Sequence, residues 1–499
     1  MRKTIIGSIA SAFMLLSSAF ASAQTGDLPR STPEAEGVPS RAISALFDSL
    51  MALPRTEIHS IVVVRHGKVI AETYPTPFKP EYRHTMYSCS KTFVGAAVGL
   101  AIADNRLRLT DRVATFFPES LPATVTPELA DMTVRHLLTM TSGIDPDWNM
   151  RNITPDWIAT YLGKKCAQPG TAFKYDSICT YLLAAIVQKV TGMSLLDYLK
   201  MKIFDSMHIT DVEWEVSPEG FNTGGWGLHI QPESLAKFGI LLINGGCWNG
   251  KQLIPAEWVR EMTSSQMKTY GNDYCYQTWR CDYPGTFRAD GALGQYILMI
   301  PEKDIVVVIT ECTMIDGKRQ RHLVWDILLP SVTDGSLPEG KDTATLRDKA
   351  ARYSLDTPTG KPSGKYDFSG KTFKLSDNRL EWTSIALKSD KKRITASITL
   401  ADGNRMDVDC GFRQWLTSTT EARPPYSVGA LGRFTGISRD FAVAGSYAWK
   451  TGSKLVLKLE YANWVTALDV EIDFSGNEAR ITAQENYSDT PIAIVGKAE

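Results

Sequence analysis

The sequence contains one short stretch whose residue types can carry out nucleophilic chemistry, YSCSKTFVGAAVGLAIA, from Tyr87 to Ala103. If a helix begins near Ser88, its hydroxyl and the amine of Lys91 lie one turn apart on the same face. A lysine buried in a cleft has a lowered pKa because burial disfavours its charged form, so it can accept the proton of the serine. The free N–H groups at the start of that helix can stabilise an oxyanion. The stretch therefore predicts a serine nucleophile with a lysine base.

Serine and lysine recur at this spacing elsewhere in the chain, so the spacing alone does not identify a site. A pair of this kind is more often a helix cap with a solvated lysine. Ser88 differs because it stands between a strand-like segment and a helix of small residues, which can be buried on all sides. Cys89 is another candidate nucleophile, but no histidine is its evident base, and Ser90 faces elsewhere. The other pairs are Ser234–Lys237, Ser265–Lys268 and Ser389–Lys392.

The elements around this stretch predict an α+β domain. Two β-rich runs on either side of Arg65–Lys68 indicate a hairpin, and strand-like runs return between Tyr274 and Cys312. Residues 88 to about 262 have mainly helical patterns, several of which end in Gly or Asn. We expect one antiparallel sheet, built from both ends of residues 30–330, that is flanked by helices and accompanied by a helical subdomain.

A change in composition indicates a domain boundary after residue 330. Residues 331–362 are rich in Pro, Gly, Ser, Thr and charge, which is typical of a linker. Residues 363–499 show period-two alternation with intervening turns, which predicts a small all-β C-terminal domain, either a barrel or a sandwich. The candidate hydrolytic residues then belong to a domain of residues 24–330, and the β domain contains no catalytic constellation.

The first residues predict export from the cytoplasm. A basic start, MRK, precedes the apolar run TIIGSIASAFMLLSSAF and the small residues ASA, an order typical of a signal peptide over residues 1–23 with cleavage after Ala23. A membrane anchor is the alternative, but the run is short and diluted by Ser and Gly. We therefore expect a periplasmic or secreted protein with no stable membrane insertion after cleavage.

Composition argues against several function classes. The net charge of −1 gives no electrostatic reason to expect nucleic-acid binding, and no Walker-type phosphate loop is present. The eight cysteines form no CxxC pair, so we expect no metal site, and no cofactor is predicted. The sequence does not decide whether the cysteines form disulfides or remain free buried thiols, and it does not give the oligomeric state.

Five ordered segments resemble the serine β-lactamase and penicillin-recognising superfamily, especially its class C-like branch of esterases, D-aminopeptidases and 6-aminohexanoate-dimer hydrolases. The resemblance covers roughly residues 35–329. It implies the β-lactamase/transpeptidase-like fold and hydrolysis through an acyl-enzyme. The segments are MYSCSKTFVGAAVGLAIADNRLRLTDRV, MTVRHLLTMTSGI, YDSICTYLLAAIVQKVTG, GLHIQPESLAKFGILLINGGCWNGKQLIPAEWV and GALGQYILMIPEKDIVVVI.

The Tyr-x-Asn element of that family matches Tyr175-Asp176-Ser177, so serine replaces asparagine. The resemblance implies that Tyr175 is a third catalytic residue, which shuttles protons together with Lys91. We expect a lowered pKa for this phenol beside a lysine and a helix end. Ser177 would then be a substrate-binding residue. The alternative role for Tyr175 is that of a core tyrosine with a bonded hydroxyl.

The Lys-Thr-Gly or His-Thr-Gly element of the family matches the triplet ADG that ends at Gly291. This glycine allows close approach of the backbone to a ligand. The N–H of Ala292 would be the second oxyanion donor, beside that of Ser88. Asp290 is a candidate for binding a cationic or hydroxyl group of the substrate, or it is solvated and structural.

The triplet departs from the family pattern at its first position, where Ala289 replaces a cation. In β-lactamases that cation helps to hold the carboxylate of the antibiotic, and an alanine cannot. Arg288 is adjacent, but neighbouring side chains of a strand point to opposite faces, so we expect it to point away from the site. The resemblance therefore implies poor β-lactamase activity.

Together these features predict an exported serine hydrolase that cleaves an ester or amide bond of a small molecule or peptide. Ser88 would form the acyl-enzyme, with Lys91 and Tyr175 as the proton-transfer pair. Within the enzymes, the alternatives are a D-amino-acid peptidase or carboxypeptidase on cell-wall-type peptides and a weak β-lactamase. A non-catalytic binding or sensor protein on the same fold is the alternative of another class.

Overall fold

The computed structural model describes residues 27–390 and 392–499. The predicted signal peptide, residues 1–23, lies outside the described residues. The described chain forms a helix-flanked sheet domain followed by a barrel of β-strands, which confirms the predicted α+β fold and the all-β C-terminal domain.

The first domain has strands at both ends and helices between them, as the sequence predicts. Its strands are β1 (Thr56–Arg65), β2 (Lys68–Thr73), β3 (His84–Thr85), β4 (Val212–Trp214), β5 (Leu228–Ile230), β6 (Cys247–Trp248), β7 (Lys251–Gln252), β8 (Trp279–Arg280), β9 (Phe287–Gly291), β10 (Gln295–Ile300) and β11 (Ile305–Thr313). Its helices are α1 (Ser40–Met51), α2 (Ser90–Ala103), α3 (Pro127–Asp131), α4 (Val134–Leu138), α5 (Met150–Ile153), α6 (Trp157–Leu162), α7 (Ser177–Thr191), α8 (Leu195–Leu199), α9 (Pro232–Ile243), α10 (Ala256–Thr263) and α11 (Lys318–Leu323).

The central sheet is antiparallel, with the strand order β2-β1-β11-β10-β9-β8. Its middle strands β1 and β11 are runs of Val and Ile because both faces of the sheet are covered. Val62 and Val64 join the core that contains α2 and α9, whereas Ile61 and Val63 join the core beneath α1. The edge made by β9 borders the site described below.

Helix α2 is buried on all sides, as its small residues predict. A Cβ atom added at Gly99 would lie 2.1 Å from the Trp258 ring, so the glycine is what permits this contact. The same indole donates a hydrogen bond of 3.0 Å from Nε1 to the carbonyl of Gly95. The helix that follows Ser88 is therefore held rigidly inside the domain.

The C-terminal domain is a barrel of antiparallel strands, closed by a parallel pairing between its fourth and sixth strands. Inward-facing Leu455, Leu457 and Leu459 alternate with more polar positions, which explains the period-two pattern. The strands are β12 (Thr372–Leu375), β13 (Trp382–Asp390), β14 (Arg393–Leu400), β15 (Arg405–Phe412), β16 (Leu416–Thr420), β17 (Phe441–Trp449), β18 (Lys454–Tyr461), β19 (Ala467–Ser475), β20 (Glu478–Glu485) and β21 (Ile492–Ala498).

The stretch 331–362 differs from a simple linker because it contains a helix, α12 (Lys341–Ala350). This helix packs against α1, although Leu346 is its one buried residue. Tyr353, just beyond the helix, donates a hydrogen bond of 2.8 Å to Asp48 of α1. The polar composition gives no sign of this helix, because a helix that contributes a single apolar side chain has almost no hydrophobic periodicity.

The barrel contacts the first domain next to the predicted nucleophile. The hydroxyl of Tyr87 lies 2.9 Å from the hydroxyl of Ser427, and its ring centroid lies 5.9 Å from that of Tyr426. Tyr87 is buried within the hydrophobic core of the barrel domain. The residue that precedes Ser88 in the chain is therefore held by the C-terminal domain.

Over the residues that the structure describes, the chain has neither a disulfide nor a single helix with the length and hydropathy of a membrane span. All eight cysteines are free thiols, the second of the two states that the sequence leaves open. The bent pair Ser177–Thr191 and Leu195–Met207 meets the length and composition criteria for a span only when the two helices are taken together.

Candidate active site

The amine of Lys91 is held by three hydrogen bonds in a fully buried position. Its Nζ lies 2.9 Å from Ser88 Oγ, and it donates to Ser177 Oγ at 2.9 Å and to the carbonyl of Gly225 at 2.7 Å. Burial lowers the pKa of Lys91 to about 7, and the nearby charge of Arg151 acts in the same direction. Neutral amine is therefore available near neutral pH, and its lone pair can accept the proton of Ser88.

A strained turn presents Ser88 at the start of the buried helix. Tyr87 has a φ of +46°, a region that residues other than glycine rarely adopt, and it begins a 3₁₀ turn, Tyr87–Cys89, that runs into α2. Ser90 stabilises this turn, since its Oγ donates to Tyr87 O at 2.6 Å and accepts from Leu228 N at 3.2 Å. Backbone strain that the surrounding structure maintains is common at catalytic sites.

The other candidate nucleophiles of the same stretch are engaged elsewhere. Cys89 is fully buried, and its thiol donates to the carbonyl of Gln295 at 3.2 Å. Burial raises the pKa of this thiol, which opposes formation of the reactive thiolate. Ser90 is occupied by the turn. The geometry therefore favours Ser88 as the nucleophile.

Tyr175 lies beside the serine and the lysine. Lys91 Nζ is 4.9 Å from the centroid of the Tyr175 ring, and both Tyr175 and Ser88 line the cleft. The lowered pKa that the sequence predicts is wrong, because burial raises the pKa of Tyr175 and outweighs the lowering effect of Ser88. The phenol is therefore protonated at neutral pH and can donate a proton.

Ser177 and Gly225 complete the surroundings of the amine. Ser177 is the first residue of α7, and the Asp176 side chain caps this helix by accepting from Ile178 N at 2.9 Å. A Cβ at Gly225 would lie 2.6 Å from the carbonyl of Ser177, so only glycine brings its own carbonyl this close to Lys91. The sequence analysis did not identify Gly225 as a site residue. The only signal in the sequence is the pair of glycines before Trp226.

The predicted edge strand β9 borders the same site. A Cβ at Gly291 would lie 2.4 Å from the carbonyl of Met86, which is why glycine stands where the strand meets the nucleophile turn. Ala292 lines the cleft directly after it. The structure thus places the candidate oxyanion donors, the N–H groups of Ser88 and Ala292, on two elements that meet at this cleft.

The expected orientation of Arg288 is wrong. Ala289 is fully buried in the core, whereas Arg288 and Asp290 both line the cleft and form an ion pair of 2.6 Å between Nε and Oδ2. Alternation along the strand makes residues 288 and 290 share a face, and residue 289 takes the other. Ala289 therefore gives no argument about substrate charge, and Asp290 is neutralised by its own neighbour.

A cleft of about 570 Å³ joins these groups and has an aromatic wall. Trp148, Trp226 and Trp279 line it, and so do Ser427 and Val428 from the C-terminal part of the chain. A larger cavity of about 690 Å³ lies between β2 and α12, but it contains none of the predicted site residues. The predicted residues on the cleft surface are Ser88, Tyr175, Ser177, Asp290 and Ala292, with Lys91 just beneath them.

Arg151 is a further residue of the cleft that the sequence analysis missed. Its guanidinium lies 4.5 Å from the Trp226 ring centroid and 5.2 Å from that of Trp148. Its neighbour Glu215 neutralises it incompletely near neutral pH, because burial raises the pKa of that carboxyl to about 7. Nothing in the sequence distinguishes Arg151 from a surface arginine.

Comparison with known proteins agrees with this geometry. The beta-lactamase family model matches residues 43–322. A 6-aminohexanoate-dimer hydrolase of Paenarthrobacter ureafaciens is 25% identical over 57% of this chain and 81% of its own length. Protein flp of Staphylococcus aureus is 27% identical over 31% of this chain and 34% of its own length.

The solved structure of a putative beta-lactamase from Bacteroides dorei is similar in fold. It superposes with a TM-score of 0.50 at 16% identity, over 58% of this chain and 99% of that one. The chain belongs to the beta-lactamase family, because the family model matches more than half of it. The strained turn at the serine and the buried lysine agree with this assignment. The resemblance stated from the sequence is confirmed.

The pKa of Lys91 predicts the pH dependence of Ser88 reactivity. Below about pH 7 the amine is protonated and cannot accept the serine proton, so labelling of Ser88 by a fluorophosphonate slows about tenfold per pH unit. Above that pH the rate levels off. In Arg151→Gln the acidic limb moves to higher pH, because a charge that lowers the pKa of Lys91 is removed. A rate independent of pH between 5 and 9, about two units either side of 7, contradicts this role of the amine.

Proposed function

We propose that this protein is an exported serine hydrolase that cleaves an ester or amide bond through an acyl-enzyme on Ser88. The observation that carries the proposal is the hydrogen bond of 2.9 Å between Lys91 Nζ and Ser88 Oγ in a buried site. The signal-like residues 1–23 support export to the periplasm or the medium. A relative named as a 6-aminohexanoate-dimer hydrolase supports the reaction class.

In the first half of the reaction, Ser88 Oγ attacks the substrate carbonyl while its proton passes to Lys91 Nζ. The carbonyl oxygen becomes an oxyanion, which the N–H groups of Ser88 and Ala292 stabilise. Collapse of this intermediate breaks the bond to the leaving group. Tyr175 gives its proton to that group and takes one from Lys91, so the phenol remains neutral before and after the step.

In the second half, water attacks the ester that Ser88 now carries. Lys91 is again neutral and accepts a proton from the water, directly or through Tyr175. The oxyanion forms a second time and collapses with cleavage of the bond to Ser88 Oγ, which takes the proton from Lys91, and the acid product leaves. Because its pKa is raised, Tyr175 is neutral at the start of each half-reaction. The mechanism therefore uses a neutral lysine and a neutral tyrosine for both proton transfers.

Covalent labelling of Ser88 tests this mechanism. A fluorophosphonate adduct is expected at Ser88 by mass spectrometry, and Lys91→Ala should slow its formation by about a hundredfold or more, since the general base is lost. Ser234→Ala is the matched control, because Ser234 is also buried and also lies three residues before a lysine, but outside the cleft. This control should label like the wild type.

The same mass measurement, made on protein isolated from cells, reports whether the mature chain begins at Gln24. A chain that retains residues 1–23 contradicts export by cleavage. No adduct at Ser88, together with no turnover of p-nitrophenyl esters, nitrocefin, D-alanyl anilide or aminohexanoate dimer, supports a non-catalytic protein on the same fold. An adduct at Cys89 or Ser90 contradicts the assignment of the nucleophile.

The cleft favours a substrate with a carboxylate near the scissile bond. Arg288 is neutralised by Asp290, but Arg151 lines the cleft as a cation that its neighbours neutralise incompletely. An arginine on aromatic rings binds carboxylates well because its planar fork matches their geometry. Linear amides that end in a carboxylate, such as aminohexanoate oligomers and D-amino-acid peptides, have the required group.

A pair of substrates tests this preference. Arg151→Gln should raise KM about tenfold for a peptide anilide with a free carboxylate, because a charge-assisted hydrogen bond is lost. The methyl ester of the same compound should show little change, measured at pH 9 where Lys91 is neutral. Arg260→Gln, an exposed change on α10, is the control. Equal changes for both substrates contradict a contact between Arg151 and the carboxylate.

A further inference from the structure

A second group of ionisable side chains lies outside the cleft, where the central sheet meets the barrel. Glu57 and His59 belong to β1, and Glu460 belongs to β18. One carboxylate oxygen of each glutamate and one ring nitrogen of the histidine all lie within 4.8 Å of one another. His59 and Glu460 are buried, and Glu57 is partly so. None of the three belongs to the hydrolytic machinery.

A bulge in β1 directs His59 toward the barrel. The pairing with β11 skips His59, since Ile58 pairs with Glu311 and Ser60 with Thr310. A bulge of this kind re-aims a side chain that regular pairing would place elsewhere. The imidazole is also fixed by stacking on Phe78, with ring centroids 4.0 Å apart.

The hydrogen bonds of two histidines leave a lone pair on His59 Nε2. His84 Nδ1 lies 3.0 Å from the carbonyl of Thr85, which can only accept, so this nitrogen carries the proton. In a neutral imidazole the other ring nitrogen is then an acceptor. His59 Nδ1 then donates to His84 Nε2 at 2.8 Å. His59 Nε2 has no hydrogen-bond partner among the described residues, so it is the ring nitrogen that remains available to a ligand.

The carboxylate of Glu460 is buried without compensation. Glu460 is 0% exposed, and neither of its oxygens has a hydrogen-bond partner in the described part of the chain. Glu57 is better served, since Lys458 forms an ion pair with it and Asn486 Nδ2 donates to it at 2.9 Å. Asp469 adds a further nearby acid, so one lysine faces three carboxyl groups. Buried carboxylates without a cation or donor are costly.

We propose that Glu57, His59 and Glu460 bind a divalent metal ion of the zinc type, which joins the sheet domain to the barrel. One imidazole nitrogen and two carboxylates form a ligand set that Zn²⁺ accepts, with water as a fourth ligand. Bonds of about 2 Å bring tetrahedral ligands to roughly 3.4 Å from one another, so a small contraction of the observed cluster suffices.

The surroundings have further features of a metal site. The ligating histidine donates its other ring N–H to a fixed acceptor, which sets its tautomer and orientation. A divalent ion also balances the excess of acids over Lys458. The prediction of no metal from the sequence considered local motifs only, and these three ligands come from two domains that are distant in the chain.

The alternative explanation of this cluster is that a proton, instead of a metal ion, lies between Glu460 and His59. Burial raises the pKa of Glu460, and a protonated Glu460 can donate a hydrogen bond to His59 Nε2. In that case Glu460→Gln replaces the acid O–H by an amide N–H, and the contact survives. With a metal ion, the same substitution removes a ligand. The two accounts therefore predict opposite effects of one substitution.

Zinc binding to the full-length mature protein tests the proposal. After dialysis against a chelator, titration with Zn²⁺ in a calorimeter should show one equivalent bound per chain, confirmed by elemental analysis. Glu460→Gln should weaken binding at least tenfold. Glu471→Gln is the matched control, because it alters a partly buried barrel carboxylate that is paired with Lys450 and Lys454. Zn²⁺ should raise the Tm of the wild type and the control but not that of Glu460→Gln.

Retained labelling of Ser88 shows that each variant is folded. If Glu460→Gln does not fold, zinc-edge X-ray absorption on the wild type decides instead, with nitrogen and oxygen neighbours at about 2.0–2.2 Å expected. The proposal is overturned if the wild type binds no Zn²⁺, or if Glu460→Gln binds it equally well. A Glu460→Gln variant as stable as the metal-free wild type, with no zinc effect on either, establishes the shared proton.

Discussion

The burial of the Lys91 amine is the constraint on which the active site depends. A charged ammonium is costly in a protein interior, so burial favours the neutral base that can activate Ser88. Two acceptors, the Ser177 hydroxyl and the carbonyl of Gly225, hold the neutral amine in place, and its lone pair then faces the hydroxyl of Ser88. Neutral hydroxyls and a carbonyl fix its position without the full charge of a contacting carboxylate, which would stabilise the ammonium.

The rest of the fold maintains that environment. The small residues of α2 allow helices and the sheet to enclose it, and glycines at the cleft allow the backbone to approach the lysine and the nucleophile turn. The barrel holds Tyr87 and supplies Ser427 and Val428 to the cleft wall. The C-terminal domain is therefore part of the site, although it contributes none of the predicted catalytic groups.

Sequence reasoning reached the nucleophile because its chemistry is local. Ser88 and Lys91 lie one helical turn apart, and the helix of small residues already indicates burial. The strands were visible because alternation and Val-Ile runs follow directly from burial of one or both faces. Both kinds of pattern involve residues that are close together in the chain.

The features that the sequence did not reveal depend on strand alignment or on contacts between distant residues. Arg288 would point to the other face of β9 if the strand were shifted by one residue, and a three-residue match does not establish which face points to the cleft. The burial that raises the pKa of Tyr175 comes in part from Tyr274 and Trp279, a hundred positions on. Gly225, Arg151 and the cluster of Glu57, His59 and Glu460 likewise have meaning only in three dimensions.

Direct titration of Lys91 tests the central claim. In protein labelled with ¹³C at lysine Cε, the Lys91 resonance, assigned by its loss in Lys91→Arg, should titrate near pH 7 instead of near the ordinary value of 10.5. The other lysines provide the internal reference in the same spectra. A midpoint for Lys91 at or above the ordinary lysine value would show that the amine is charged in the resting protein, which contradicts its role as the base.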